Sequence, residues 1–314
     1  MLFTTYKIPD TYKEYVTKHV KAFSLIFLML GTSFFVKNRE IILPEMAALS
    51  IGSFIYLKDD WRRKPLHLFY LPSITAIIGF GINMLDISMV MKLTISLILV
   101  LAVLKIAENF LAPAIATGLL PIITNCSSWE FLASIFFFTF ILGFSIFINK
   151  KNIPVNSINK SSSGKSFHLF TYLLISIVWF IICDMYEHME MAAIPPVIVI
   201  AFENMTKTSY TITALVTQIV AMSIASMIGF YCYSFFNQHI VISAAVSFSL
   251  ITLLLYTLKA KLPPAYAMAI LPMILDRQTP VYFTTRLFIM SLTLFSAIYI
   301  IKRLSETRLF KRIF

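Results

Sequence analysis

The chain has 314 residues, of which 59% are hydrophobic and only 13% charged, and a formal net charge of +11; an average soluble domain is about 45 to 50% apolar and about 25% charged. Apolar runs recur along almost the whole length, and no stretch longer than about 20 residues between them could fold as a separate soluble domain. The Lys and Arg residues lie in short connectors and tails rather than on one amphipathic face with interleaved aromatics, so the charge reports membrane topology and argues against a nucleic-acid partner.

In chain order, the opening stretch MLFTTYKIPDTYKEYVTKHVKAF is too polar for a signal peptide and runs into an apolar stretch with no A-x-A cleavage site. That stretch is expected to remain as the first span. Apolar runs of about 15 to 25 residues then predict twelve helical membrane segments: 22–36, 41–57, 67–85, 88–107, 110–124, 128–148, 167–184, 190–203, 210–236, 239–258, 262–276 and 282–301. The predicted fold class is all-α, a polytopic membrane protein. Four of the segments are short, two in each half of the chain.

Residues 149–166, NKKNIPVNSINKSSSGKS, are polar and rich in Ser, Asn and Lys. They read as a flexible cytoplasmic linker between a first membrane unit, 1–148, and a second, 167–314. The units resemble each other: LAPAIATGLLPII at 111–123 matches LPPAYAMAILPMI at 262–274 at seven of thirteen positions without a gap. Glu45-Met46-Ala47-Ala48 recurs as Glu190-Met191-Ala192-Ala193, ahead of the proline-rich pair by 66 and 72 residues. A tandem repeat of six segments is expected.

Orientation follows from the basic residues. Lys7, Lys13, Lys18 and Lys21 in the N-terminal tail, Lys150, Lys151, Lys160 and Lys165 in the linker, and Lys302, Arg303, Arg308, Lys311 and Arg312 in the C-terminal tail all belong inside. Six crossings per unit then also place Lys58, Arg62, Arg63, Lys64, Lys259 and Lys261 inside, and the acidic stretch Asp184 to Glu190 outside. Two units that start and end on the same face form a parallel repeat. The expected setting is a bacterial cytoplasmic membrane with both termini cytoplasmic.

A helix as short as residues 262–275 rises about 21 Å, less than the roughly 30 Å hydrocarbon core. Pro263 and Pro264 suit a first helical turn, and Pro272 removes an internal hydrogen bond, so this segment is expected to be short and kinked. The first copy carries Pro113 and Pro121, and Pro195 opens the short segment that follows Glu190 and Ala192. Ala114 and Ala116, with Ala265 and Ala267 in the other copy, permit close approach of a backbone or a solute. Close packing alone explains these alanines; a substrate path through them also explains why the breaks fall at matching places in both units.

The order of an Ala-Ala segment, two long spans and then a Leu-x-Pro-Ala motif with a later proline resembles the HPP family of integral membrane proteins. The residues that carry the likeness are Leu262-Pro263-Pro264-Ala265 and Leu111-Ala112-Pro113-Ala114, within cores at about 41–124 and 190–276. Neither copy has the histidine of the family motif. The resemblance implies a transporter, and nitrite is a substrate reported for some members.

Glu45 and Glu190 are the leading ionisable candidates, since each immediately precedes Met-Ala-Ala at the mouth of a short segment. Each is read either as a cation or proton site or as a helix-terminal charge at the outer interface. Lys105 and Glu108, spaced i, i+3, read as an interfacial ion pair or a cytoplasmic gate. Cys126, Cys183 and Cys232 form no CxxC pair and read as apolar packing residues. No HExxH, GxSxG, Walker or dinucleotide motif is present, so no enzyme activity, cofactor or metal is expected. The candidate path residues are Glu45, Ala47, Pro113, Ala114, Ala116, Pro121, Glu190, Ala192, Pro195, Pro263, Pro264, Ala265, Ala267 and Pro272. The expected function is movement of a small solute, a small anion being one class, between the two units, in contact with membrane lipid. The alternative is a non-transport membrane protein that binds lipid or a partner protein in envelope assembly.

Overall fold

The computed structural model describes residues 12–148, 162–275 and 279–306, and among them there is no β-strand. In the first half, α1 (Tyr12–Val36) leads through a 3-10 turn (Arg39–Ile41) to α2 (Pro44–Ser50) and a π-helical turn (Ile51–Ile55), then α3 (Asp59–Arg63), α4 (His67–Asn83), α5 (Met89–Ile106), α6 (Pro113–Ile123) and α7 (Trp129–Ile148). In the second half, α8 (Ser162–Met185) leads through a 3-10 turn (Met189–Met191) to α9 (Pro195–Thr206), α10 (Ile212–Phe235), α11 (Ile240–Thr257), α12 (Pro264–Ile270) with a 3-10 turn (Leu271–Met273), and α13 (Pro280–Glu306). Each predicted segment falls on helical structure, nine of them on a single α-helix and segments 41–57, 190–203 and 262–276 on a short α-helix together with a π or 3-10 turn.

The chain is an α-helical membrane protein. Seven helices, α1, α5, α7, α8, α10, α11 and α13, are long and apolar enough to cross a bilayer. Their outward faces carry large apolar side chains, such as Phe137, Phe140, Phe144 and Phe147 along α7, each more than half exposed; lipid is the medium in which such faces are stable. The opposite faces bury at helical spacing, as Ala22, Ile26, Met29 and Ser33 do in α1.

Among the described residues, left-handed residues other than glycine follow six of the α-helices. Lys37 (φ 58°) follows α1, Glu108 (φ 48°) follows α5, Glu187 (φ 57°) follows α8 and Lys259 (φ 49°) follows α11. At the end of α11 the Ala260 amide donates to the Leu255 carbonyl and the Lys259 amide to that of Tyr256, so the two bonds satisfy carbonyls the helix leaves open. Glu108 therefore lies past the helix end, and the expected Lys105–Glu108 ion pair does not form: i, i+3 spacing places two side chains together only while both are helical.

Two other expectations change. Residues 149–161 of the predicted linker lie outside the described residues, and residues 162–166 are not linker but the first turns of α8. The segment 41–57 is not one helix, because α2 widens into the π turn, in which the Tyr56 amide reaches back five residues to the Ile51 carbonyl at 3.0 Å. Gly52 lies in this turn with the Trp61 ring packed directly on it, where a side chain would collide.

In the first half α4 packs on α5, α6 and α7, and in the second α10 packs on α11, α12 and α13. The halves meet crosswise: α2 packs on α12, α6 on α9, α5 on α8 and α1 on α11. The four short helices α2, α6, α9 and α12 thus meet between the halves, beside the pairs α5–α8 and α1–α11.

Candidate functional site

Each of the four short helices begins on a proline, Pro44, Pro113, Pro195 and Pro264. The first helical position suits proline because its amide has no partner there and its φ is already helical. Pro44 directly precedes the Glu45-Met46-Ala47-Ala48 stretch, yet it is not among the helix starts expected from the sequence. Every residue of α2 and α12 is buried, as is every residue of α6 except Ile123. The break expected at Pro272 is found, since it lies in the 3-10 turn that follows α12, whereas Pro121 stays inside α6.

The candidate alanines belong to this packed contact. Ala47, Ala114, Ala192 and Ala265 are 0% exposed, and Ala116 and Ala267 are 2% exposed. Small residues here bring backbones together. A Cβ on Gly79 of α4 would strike the Gly118 carbonyl of α6, and a Cβ on Gly229 of α10 would lie 2.8 Å from Ala269 Cα of α12. On the α4–α6 side the Thr75 and Thr117 hydroxyls are 2.6 Å apart, and Ser96 donates to the Gly118 carbonyl at 2.8 Å. Hydroxyls thereby satisfy one another where backbones approach.

Glu45 and Glu190, paired by their shared Glu-Met-Ala-Ala, occupy different elements. Glu45 is the second residue of α2 and is 3% exposed, while Glu190 is the middle residue of the 3-10 turn before α9. The residue that shares Glu190's place is Glu40, in the middle of the turn before α2. The two Glu-Met-Ala-Ala stretches therefore lie in unlike settings, Glu45 one residue after the proline that starts α2 and Glu190 five residues before the proline that starts α9. Glu40 and Glu190 also act alike. Glu40 accepts from the Cys126 thiol at 2.9 Å, the Ser128 amide at 3.0 Å and the Ser128 hydroxyl, tying its turn to the entry of α7. Glu190 pairs with Arg286 and faces His188 Nδ1 and the Tyr282 hydroxyl, both at 3.5 Å, tying its turn to the start of α13.

Partial burial pulls the Glu40 pKa up, but the Cys126 and Ser128 hydrogen bonds outweigh it and hold the carboxyl below its ordinary value of 4.5. Cys126, Cys183 and Cys232 are buried and free. The first of them is more than packing, since its thiol donates to Glu40.

Glu45 has no such partners. Both its carboxylate oxygens are buried, and no other residue hydrogen-bonds them. Two hydroxyls of the same continuous stretch, Ser50 and Ser53, are 0% and 1% exposed and likewise unpartnered.

A second polar group joins the halves where α2 and its π turn meet α9. Lys58 Nζ pairs with Glu203 at 2.5 Å and lies 4.1 Å from the centre of the Trp61 ring. Next to it, Asn204 and Gln218 exchange two amide hydrogen bonds of 2.7 and 3.0 Å, and the Tyr210 hydroxyl donates to Gln218 at 2.8 Å. The basic-residue pattern places Lys58 in a cytoplasmic connector but carries no signal for its partner, which is 145 residues away. Nearby, Asn109 faces His67 Nδ1 at 3.0 Å.

Among the described residues no three His, Cys, Asp or Glu side chains come together as a metal cluster would require. No protein-family model, curated protein or solved structure matches the chain.

Proposed function

We propose that the chain is a membrane transporter that moves a small solute, with small anions the first class to test, along a path between two six-segment repeats. The observation that carries this reading is the meeting of four short, proline-started helices, two from each half, one of which, α2, carries a buried carboxylate with no partner from another residue. Helices too short to cross alone at the junction of two halves are the parts from which secondary transporters build a midplane site.

The repeat relation is part of the proposal, as is a count of twelve membrane segments. It is supported by the same order of long and short elements in both halves. Further support comes from matching left-handed residues, Lys37 with Glu187 and Glu108 with Lys259, and from matching close contacts, Gly79–Gly118 and Gly229–Ala269. The pairs fall 150 or 151 residues apart throughout. We further propose parallel repeats, cytoplasmic termini and a bacterial cytoplasmic membrane, on the strength of the basic connectors, and an HPP-like arrangement of the Leu-x-Pro-Ala copies.

One observation favours the alternative, a scaffold that binds lipid or a partner protein: the candidate path residues Ala114, Ala116, Ala265 and Ala267 are packed to between 0% and 2% exposure. A path through them requires the short helices to separate during the cycle. Purified protein in lipid vesicles, assayed for uptake of nitrite and of radiolabelled formate, distinguishes the readings. Uptake above protein-free vesicles that is lost in Ala116→Trp and Ala267→Trp, with both variants still folded, supports transport. No uptake of any small anion or neutral solute, together with lipid retained through purification, supports the scaffold.

A further inference from the structure

We propose that Glu45, buried on α2, one of the four short helices that meet between the halves, is a proton-binding site, its carboxyl taking up and releasing one proton as the short helices rearrange. As the coupling ion of a transport cycle, this proton rests on the transport reading above; as a binding site, it does not.

The argument begins with burial. Glu45 is 3% exposed, and neither carboxylate oxygen has a hydrogen-bond partner from any other residue. A buried, unpaired carboxylate costs several kcal/mol, which a native structure avoids by pairing or neutralising the charge. Pairing is not supplied by the elements packed on α2. The π turn and α6 contain no ionisable residue. The one in α12, Tyr266, has its hydroxyl 2.9 Å from that of Thr252. In α9, Glu203 is committed to Lys58, and Glu130, the one charged residue of α7, is exposed. The described charged and titratable side chains of α1 all lie within its first ten residues, where Lys18 pairs with Glu14 and His19 bonds the Tyr15 carbonyl.

The ligand that fits is a proton rather than a metal cation. A metal ion of the hard class needs about six oxygen ligands, whereas Glu45 is the lone acid of its element and belongs to no cluster of three candidate ligands among the described residues. A proton needs one oxygen. The unpartnered Ser50 and Ser53 hydroxyls follow Glu45 along the same continuous stretch, and the second lies in the wide π turn. Hydroxyls can both accept and donate, so they suit a route for a proton and offer little to a bare divalent ion. Local π turns also recur where a helix has a functional task.

Infrared difference spectroscopy of the full chain in lipid tests the site without needing a solute. At neutral pH the wild type should show the C=O stretch of a protonated carboxyl, shifted in heavy water and lost on alkalinisation. Glu45→Gln and Glu45→Met, with helicity verified by circular dichroism, should both lack that band. A spectrum without it, or one in which the variants retain it, overturns the proposal. So does loss of the band on adding sodium at constant pH, which would mark a sodium site. Coupling is read from nitrite and formate uptake under an imposed pH gradient. Uptake that the gradient drives in wild type and fails to drive in Glu45→Gln is expected. Uptake indifferent to both gradient and substitution overturns coupling and leaves transport standing. A Glu45 band with no uptake of any solute leaves the proton site standing and removes the transport reading.

Discussion

Lys58 and Glu203 stand 145 residues apart in the chain and 2.5 Å apart in the fold, and they belong to opposite halves. Neither is fully buried, with side chains 28% and 18% exposed, so solvent moderates the pair without dissolving it. Lys58→Ala leaves Glu203 half-desolvated without its cation and should cost about 1 to 3 kcal/mol. The double variant Lys58→Ala/Glu203→Ala should cost less than the two single changes together. Thermal unfolding of all four proteins in one detergent completes the cycle, and strict additivity would show that the pair contributes nothing.

Glycine substitutions separate contact from composition. Gly79→Ala and Gly229→Ala each place a methyl against the backbone of a neighbouring helix, which cannot yield as a side-chain tip can, and each should lose about 1 to 3 kcal/mol. Gly81→Ala, two residues from the first, meets nothing within 4 Å and should gain up to about 1 kcal/mol from helix propensity. Equal effects at all three positions would contradict the close approach of α4 to α6 and of α10 to α12.

The left-handed helix ends predict the opposite sign for glycine. At Lys259, φ 49° imposes a strain of about 1 to 2 kcal/mol on a residue with a Cβ. Lys259→Gly should raise the unfolding temperature, and Lys259→Val should lower it, since a β-branched residue is least tolerant of that conformation. Chemical denaturation followed by tryptophan fluorescence gives both signs.

The Glu40 contacts predict a pH dependence. Its carboxyl is held below 4.5 in the folded chain, so the folded state binds fewer protons than the unfolded state in that range. The stability it contributes is fully present above the unfolded value and is lost as pH falls through the folded one. Unfolding measured from pH 6 down to about pH 3 should therefore show a steeper loss in wild type than in Glu40→Gln. Parallel curves would mean that the Cys126 and Ser128 contacts do not favour the ionised form.

Helical class and the places of the segments were legible because apolar length and proline position act locally. Segment 262–276, expected to be short and broken, is α12 followed by a 3-10 turn at Pro272. The Leu-x-Pro-Ala stretches each sit at a helix start, Pro113 of α6 and Pro264 of α12, which proline position made legible. The Glu-Met-Ala-Ala stretches fall on unlike elements, one crossing from a 3-10 turn toward α9 and the other lying inside α2, and four shared letters carry too little to fix which element a stretch forms. Lys58 with Glu203, and Glu40 with Ser128, were not legible at all. Such pairs depend on which loops the packing brings together, and no local periodicity encodes that.

The crosswise contact has a consequence for how the protein is made. Because α2 rests on α12 and α6 on α9, the first half emerges from the ribosome with the faces of two short helices lacking the neighbours they will finally have. Those faces must wait in the bilayer, or under a chaperone, until residues as late as Ile270 have been synthesised. The proline starts of α2 and α6 limit what can go wrong in that interval by fixing where each helix begins before anything holds it. A chain interrupted after α11 would therefore leave α2 without its main cross-half neighbour, an open seam for quality-control proteases to find.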